Sequence, residues 1–240
     1  MSIRHSLVTG ANRGLGLEFA RQLLARGEHV VATCRHPGKA TALNTLAGEH
    51  PGRLHVLPLD VASEKSRVEL ARELPLVLGG DDETGPGRLG LLLNNAGVLH
   101  SGERWGHVDP AILEDSVRTN AFGPLLLTQA LAPQLADGAS VANLSSMMAA
   151  LSSRTEFRSP SYCISKAAQN MATVLLARAL APRGIAVVAL SPGWVQTDMG
   201  GAGAEISATQ AAAGLLQVID ALTPAQSGRF LDWQGRELPW

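Results

Sequence analysis

Thr9-Gly10-Ala11-Asn12-Arg13-Gly14-Leu15-Gly16 follows the short apolar run Ser6–Thr9. It opens a stretch, Gly14–Arg26, in which Leu17, Ala20, Leu23 and Leu24 share one helical face. Strand, glycine-rich turn and amphipathic helix in that order form a phosphate cradle. The glycines allow a tight turn and let the backbone approach a pyrophosphate, which meets the helix N-terminus and its dipole. Glycines are often plain turn formers, but placement between a strand and a helix is the context that a dinucleotide motif requires.

Outward from this segment, apolar runs of strand length recur at His29–Cys34, Leu54–Leu59, Leu89–Asn94, Ser140–Leu144 and Ile185–Leu190, with a last short one at Arg229–Leu231. Helical stretches fill the gaps, among them Pro110–Leu131, Ser161–Ala181 and Thr209–Ala221. Strands apolar on both faces, each followed by a helix, indicate a parallel sheet covered on both sides. Right-handed crossovers then wind it doubly. The expected class is α/β, a Rossmann-type doubly wound parallel sheet of about seven strands, in a single domain over residues 1–240. Loop signals concentrate at Gly79–Arg88 and Gly200–Ala204. The strand–helix rhythm resumes beyond each, so neither reads as a linker.

Apolar residues make up 45% of the chain and charged residues 17%, enough for a well-buried core. A net charge of −1 without a basic run gives no electrostatic case for nucleic acid or an anionic membrane. Cys34 and Cys163 lie far apart, and the histidines form no ligand pair, so neither a disulfide scaffold nor a metal is expected. With no signal-peptide layout and no bilayer-spanning apolar stretch, the expectation is a cytoplasmic protein.

The second strand ends Thr33-Cys34-Arg35, without the acid that would accept from a ribose 2′-hydroxyl. Arg13 and Arg35 could instead face a 2′-phosphate, which a guanidinium matches well. Two solvated surface arginines are the alternative, and Arg35 is less ambiguous than Arg13. The cofactor expected is NADP(H).

Tyr162 is the only tyrosine in the chain, and Lys166 follows it by one helical turn. Positions i and i+4 share a helix face. A nearby ammonium favours the phenolate and lowers a tyrosine pKa from its ordinary value of about 10. The pair reads as a proton donor tuned toward neutral pH. Cys163 lies between them in sequence but on another face, and reads as a buried inert thiol.

These motifs occur in one order: Thr9–Gly16, Asp60, Asn94-Asn95-Ala96-Gly97, Asn120, Ser146, Tyr162/Lys166 and Pro192-Gly193-Trp194-Val195-Gln196-Thr197. In this the chain resembles the short-chain dehydrogenase/reductase superfamily over nearly its whole length. Asn-Arg-Gly-Leu-Gly in the loop, Pro-Gly-Trp-Val-x-Thr-Asp-Met and the ending Gly228–Trp233 through Pro239-Trp240 resemble its C-factor or sniffer-like carbonyl-reductase branch.

The resemblance implies a role for each matched position. Gly10, Asn12, Arg13, Gly14, Leu15 and Gly16 would cradle the pyrophosphate, and Asp60 with Val61 would hold the adenine. An N-cap role is the alternative for Asp60, with Ser63 competing for it. Asn95, Ala96 and Gly97 would line the adenosine ribose, while Asn94 braces the central strands. Pro192, Gly193, Val195 and Thr197 would wrap the nicotinamide. Tyr162 would be the general acid for carbonyl reduction, and Lys166 would lower its pKa and bind the nicotinamide ribose. Ser146 would polarise the substrate oxygen, and Asn120 would hold a water linking Lys166 to solvent. In many family members the serine lies closer to the tyrosine, at the position of Ala149 here. Ser146 stands sixteen residues ahead of Tyr162, a spacing that resembles the sniffer-like branch, with Ser145 its nearest competitor.

The function expected is NADPH-dependent reduction of a small, apolar or aromatic aldehyde or ketone. Leu99, Met147, Met148, Trp194 and the Met199–Ile206 loop are expected to line the pocket, though they could be core. The alternative is an NADP(H)-binding regulatory or signalling protein on the same fold. A serine hydrolase is excluded, since no G-x-S-x-G surrounds Ser146, and too few residues follow the sixth strand for the substrate domain of a nucleotide-sugar enzyme. The resemblance also implies a homodimer or homotetramer paired through Pro110–Leu131 and Ser161–Ala181.

Overall fold

The computed structural model describes residues 3–81 and 85–240. Its frame is the parallel sheet β1 (His5–Thr9), β2 (His29–Cys34), β3 (Leu54–Pro58), β4 (Leu89–Asn94), β5 (Leu135–Leu144), β6 (Ala186–Ser191) and β7 (Phe230–Asp232). The spatial order is β7-β6-β5-β4-β1-β2-β3. Between β1 and β4 the winding reverses, and ligands of such sheets bind outside the strand carboxyl ends at that point.

The helices are α1 (Gly14–Ala25), α2 (Thr41–Glu49), α3 (Glu64–Leu78), α4 (Pro110–Val117), α5 (Gly123–Leu131), α6 (Pro160–Leu180) and α7 (Ala208–Asp220). Successive strand side chains point to opposite faces. Leu91, Leu93 and Val188 join one core with leucines of α1, α2 and α7, while Leu92 and Val187 join the other with leucines of α3, α5 and α6. All five of these strand residues are sealed from solvent. Burying one such side chain contributes about 1.5–3 kcal/mol, which locks the strand register and so the loops at the strand ends.

Three local differences from the sequence expectation bear on the site. The helix expected over Pro110–Leu131 is divided by a wider π-turn at Arg118–Phe122, where the Gly123 N–H donates to the Arg118 carbonyl. Pro124 accounts for it: its ring has no N–H to return to the Asn120 carbonyl and would crowd it in an α-helix. The strand expected from Ser140 begins at Leu135, which pairs with Leu89 before the register shifts. The loop expected at Gly79–Arg88 contains a two-residue hairpin, Gly80–Asp81 with Gly85–Pro86, while 82–84 lie outside the described residues. Among the described residues, no helix is long and apolar enough to cross a membrane.

Candidate active site

Gly10 and Gly14 both sit in the left-handed region, at φ +65° and +53°, which a side chain would strain. At Gly16 the constraint is space: a Cβ would collide with the Gly10 carbonyl and lie 2.5 Å from Asn95 Nδ2. Asn95 Nδ2 donates to the carbonyls of Thr9 (2.8 Å) and Gly10 (3.2 Å). The N–H groups of Asn95 and Ala96 donate to Thr9 Oγ1, each at 3.0 Å. The end of β4 is thus laced to the glycine loop. Asn94 turns inward, donating to Asn143 Oδ1 at 2.8 Å and Thr128 Oγ1 at 3.2 Å, so it braces the sheet as expected.

A cleft of about 1140 Å³ runs from this loop across the strand ends. It brings together every cofactor position singled out in the sequence: the glycine loop from Gly10 to Gly16, Arg35, Asp60 and Val61, Asn95 to Gly97, and Pro192, Gly193, Val195 and Thr197. Ser63 caps α3, accepting from the Ser66 N–H at 3.3 Å. That leaves the Asp60 carboxylate off cap duty: its Oδ1 accepts from the Ala62 N–H at 3.0 Å. Arg13 is ion-paired with Asp198 at 2.7 Å, whereas Arg35 is exposed and makes no ion pair among the described residues. Sequence reasoning missed Lys39, which the short 3-10 turn Pro37–Lys39 returns to the same wall. The Thr197 methyl comes within 3.4 Å of where a Gly14 Cβ would stand, so the two ends of the chain's motif set meet across the cleft.

At the other end, α6 delivers Tyr162 and Lys166 to the same cavity, both buried. Lys166 Nζ donates to the Leu144 carbonyl at 2.6 Å and to Gln169 Oε1 at 2.9 Å, and stands 5.8 Å from the Tyr162 ring centroid. Burial opposes the expected electrostatics. Burial pushes the phenol up to about 12, with a hydrogen bond to Ser146 partly opposing it, and burial lowers the Lys166 amine to about 7. Desolvation penalises charge on both groups. Burial of the amine thus works against the influence on the phenol that the helical spacing suggests.

The two serines separate cleanly. Ser145 is buried, its hydroxyl donating to Asn170 Oδ1 at 2.6 Å. Ser146 starts the short turn Met147–Ala149, accepts from the Met148 N–H at 3.1 Å and faces the phenol. Asn120, on the π-turn, is fully buried; its Oδ1 accepts from the Val98 N–H (2.8 Å), and its Nδ2 donates to the Val98 carbonyl and Ser165 Oγ, both at 2.9 Å. Its amide therefore clamps the segment after β4 to α6.

Leu99, Met147, Met148 and Trp194 line the cleft as expected, but of the expected Met199–Ile206 loop only Met199 and Gly200 are among its lining residues. Arg154, Glu156 and Arg158 line it too, which the sequence did not suggest. These lie between two 3-10 turns and α6, a segment without motif or periodicity. Ser159, just ahead of Pro160, is the only non-glycine residue at positive φ (+47°) among those described. Glu103 holds the start of α6 from outside, accepting from the Ser161 hydroxyl at 2.6 Å. Cys163 is half-buried, its thiol donating to the Arg158 carbonyl at 3.3 Å, and burial raises its pKa. It suits an inert thiol rather than a reactive one.

A glycine cradle at one end of a cleft and a Ser–Tyr–Lys cluster at the other define a dinucleotide-dependent oxidoreductase. The short chain dehydrogenase family matches residues 4–207, and the chain belongs to that family. It is 45% identical over 159 residues to the C-signal of Myxococcus xanthus, covering 65% of this chain and 95% of that protein. It is 36% identical to the 1-hydroxy-2-glutathionyl-2-methyl-3-butene dehydrogenase of Rhodococcus sp. (strain AD45), over 98% of both. Among solved structures, the carbonyl reductase Sniffer of D. melanogaster superposes with a TM-score of 0.92 at 31% identity, and the NADPH-bound carbonyl reductase from chicken fatty liver with 0.91 at 35%, each over 100% of both chains.

Proposed function

We propose that the protein is an NADPH-dependent carbonyl reductase in which Tyr162 is the general acid. The observation that carries this reading is convergence: Tyr162, Ser146 and Lys166 line one end of the cleft whose other end is the glycine loop. The residues present fit a phosphorylated dinucleotide. The room kept at Gly16, the left-handed turns at Gly10 and Gly14 and the α1 N-terminus suit a pyrophosphate. Arg35, with Lys39 on the same wall, would take the 2′-phosphate. Asp60 and Val61 would hold the adenine, Asn95 to Gly97 its ribose, and Pro192, Gly193, Val195 and Thr197 the nicotinamide. Bound there, the reduced nicotinamide would supply the hydride.

The protein's own part is proton and position. With its pKa near 12, Tyr162 keeps its proton at neutral pH, and an alkoxide forming on the substrate is basic enough to take it. Ser146 donates to the same oxygen and polarises it. Lys166, one turn along the same helix face, would help return a proton to the phenolate and hold the nicotinamide ribose. Asn120 positions the segment that leads to Val98 and the helix that carries both groups. Ile164, Met171 and Leu175 lie exposed on the outer face of α6, which supports pairing of two copies through that helix.

NADPH oxidation followed against a panel of aldehydes, quinones and ketones tests the reading. Turnover of at least one class is expected, and its loss in Tyr162→Phe. The likeness to the C-signal favours a second reading, an NADP(H)-binding signalling protein. It predicts NADPH binding with no turnover across the panel.

A further inference from the structure

We propose that Arg154 and Arg158 form an anion-recognition wall at the substrate end of the cleft, so that the carbonyl compound reduced here carries a carboxylate beside its apolar or aromatic body. This rests on the reductase reading above and adds a substrate class to it. Both arginines line the cavity that holds Tyr162. Each is tied to Cys163, the residue after Tyr162: the Arg154 guanidinium lies against the thiol, and the Arg158 carbonyl accepts from it at 3.3 Å.

Their loop is fastened at several points rather than left to swing. The Ser152 hydroxyl donates to the Trp240 carbonyl at 3.3 Å, and Trp240 stacks on Phe230 at 5.6 Å. Phe157, between the two arginines, packs edge-on against Trp105 at 5.4 Å. Such anchoring lowers the ordering cost of presenting a cation to a ligand. Neither arginine makes an ion pair among the described residues, and neither does Glu156, the acid between them. Asp198, which also lines the cleft, is paired with Arg13, and Glu103 near the start of α6 accepts from the Ser161 hydroxyl and N–H. Two arginines lining one cavity, neither ion-paired with a carboxylate among the described residues, suit a planar anion held bidentately. Met147, Trp194 and Met199 supply the apolar floor.

The test compares 3-formylbenzoate, 4-formylbenzoate and 4-formylphenylacetate, each with its methyl ester, in NADPH-dependent turnover. At least one acid should exceed its ester about tenfold in kcat/KM, through KM, and the advantage should shrink with added salt. In Arg154→Gln/Arg158→Gln the acid-to-ester ratio should fall to about one. Turnover in which no acid exceeds its ester, or an unchanged ratio in the double variant, overturns the proposal while leaving the reductase reading intact. A binding measurement separates the two. Benzene-1,4-dicarboxylate titrated calorimetrically into the NADP-loaded protein should bind wild type about tenfold more tightly than the double variant. That result supports the wall even if no aldehyde is turned over, in which case the reductase reading fails by itself. Equal binding, or none to either protein, overturns the wall.

Discussion

Replacing Lys166 by methionine should change how stability depends on pH, and the sign follows from burial. The amine is sealed in the folded chain, with a pKa near 7 against an ordinary 10.5. Between those values the unfolded chain binds more protons than the folded one, so stability rises with pH across that window. Each pKa unit corresponds to about 1.4 kcal/mol. Integrated from pH 7 to pH 9, the wild type should gain about 2 kcal/mol relative to a chain without the amine. Tyr162 works in the opposite direction but higher up. Its folded pKa near 12 against 10 removes stability only as pH climbs past 10. Burial raises Cys34 and Cys163 as well, and those contributions are common to both proteins and cancel. Methionine keeps most of the side-chain length and loses the bonds to the Leu144 carbonyl and Gln169, a penalty that does not vary with pH. Urea unfolding of wild type and variant at pH 7, 8 and 9, without added cofactor and at one protein concentration, gives the comparison. The stability difference should widen in favour of wild type by about 2 kcal/mol. A difference that stays flat would refute the desolvated amine. Charged in both states across that range, the lysine would then be the permanent cation that the helical spacing suggested.

Tyr162→Phe should lower turnover at least about a hundredfold, the usual scale of general acid catalysis, with NADPH affinity retained; near-normal turnover would remove Tyr162 as the acid. Ser146→Ala should cost about 2 kcal/mol or more in kcat/KM, whereas Ser145→Ala should appear as about 1 kcal/mol of lost folding stability, because its hydroxyl serves Asn170; the reverse pattern would exchange their roles. Arg35→Ala should weaken NADPH about tenfold or more and leave NADH nearly unchanged, and equal wild-type affinity for the two cofactors in a fluorescence titration would refute the 2′-phosphate assignment. Gly16→Ala should reduce NADPH affinity without unfolding the chain, since the added Cβ meets the Gly10 carbonyl and must displace the cradle; normal binding would mean that the loop yields freely.

The sheet was legible because its strands are apolar on both faces and its turns carry glycine. The limits at Leu89–Asn94 and His29–Cys34 coincide with the apolar runs. β5 was read short because Asp137-Gly138 looks like a turn, although Leu135 ahead of it already pairs with Leu89. The break in the helix over 110–131 had a visible signal in Gly123-Pro124, and apolar periodicity on both sides masked it. Spacing favoured Ser146 over its nearest competitor Ser145, but an error in the strand end would have exchanged them; β5 stops at Leu144, Ser145 turns to Asn170 and Ser146 faces the phenol. Arg154, Arg158 and Lys39 reach the cleft through irregular backbone, where neither period nor motif assigns a direction. The tyrosine–lysine pair marks a deeper limit. Helical spacing made Tyr162 and Lys166 neighbours, and neighbours they are. Whether either is charged depends on how much water surrounds them, and that is decided by the packing of α6 against distant parts of the chain, such as Leu144 on β5, whose carbonyl accepts from Lys166. Spacing thus identifies a catalytic pair, while its protonation states belong to the assembled cleft. For that reason the stability profile of Lys166→Met is a sharper probe of this site than the motif itself.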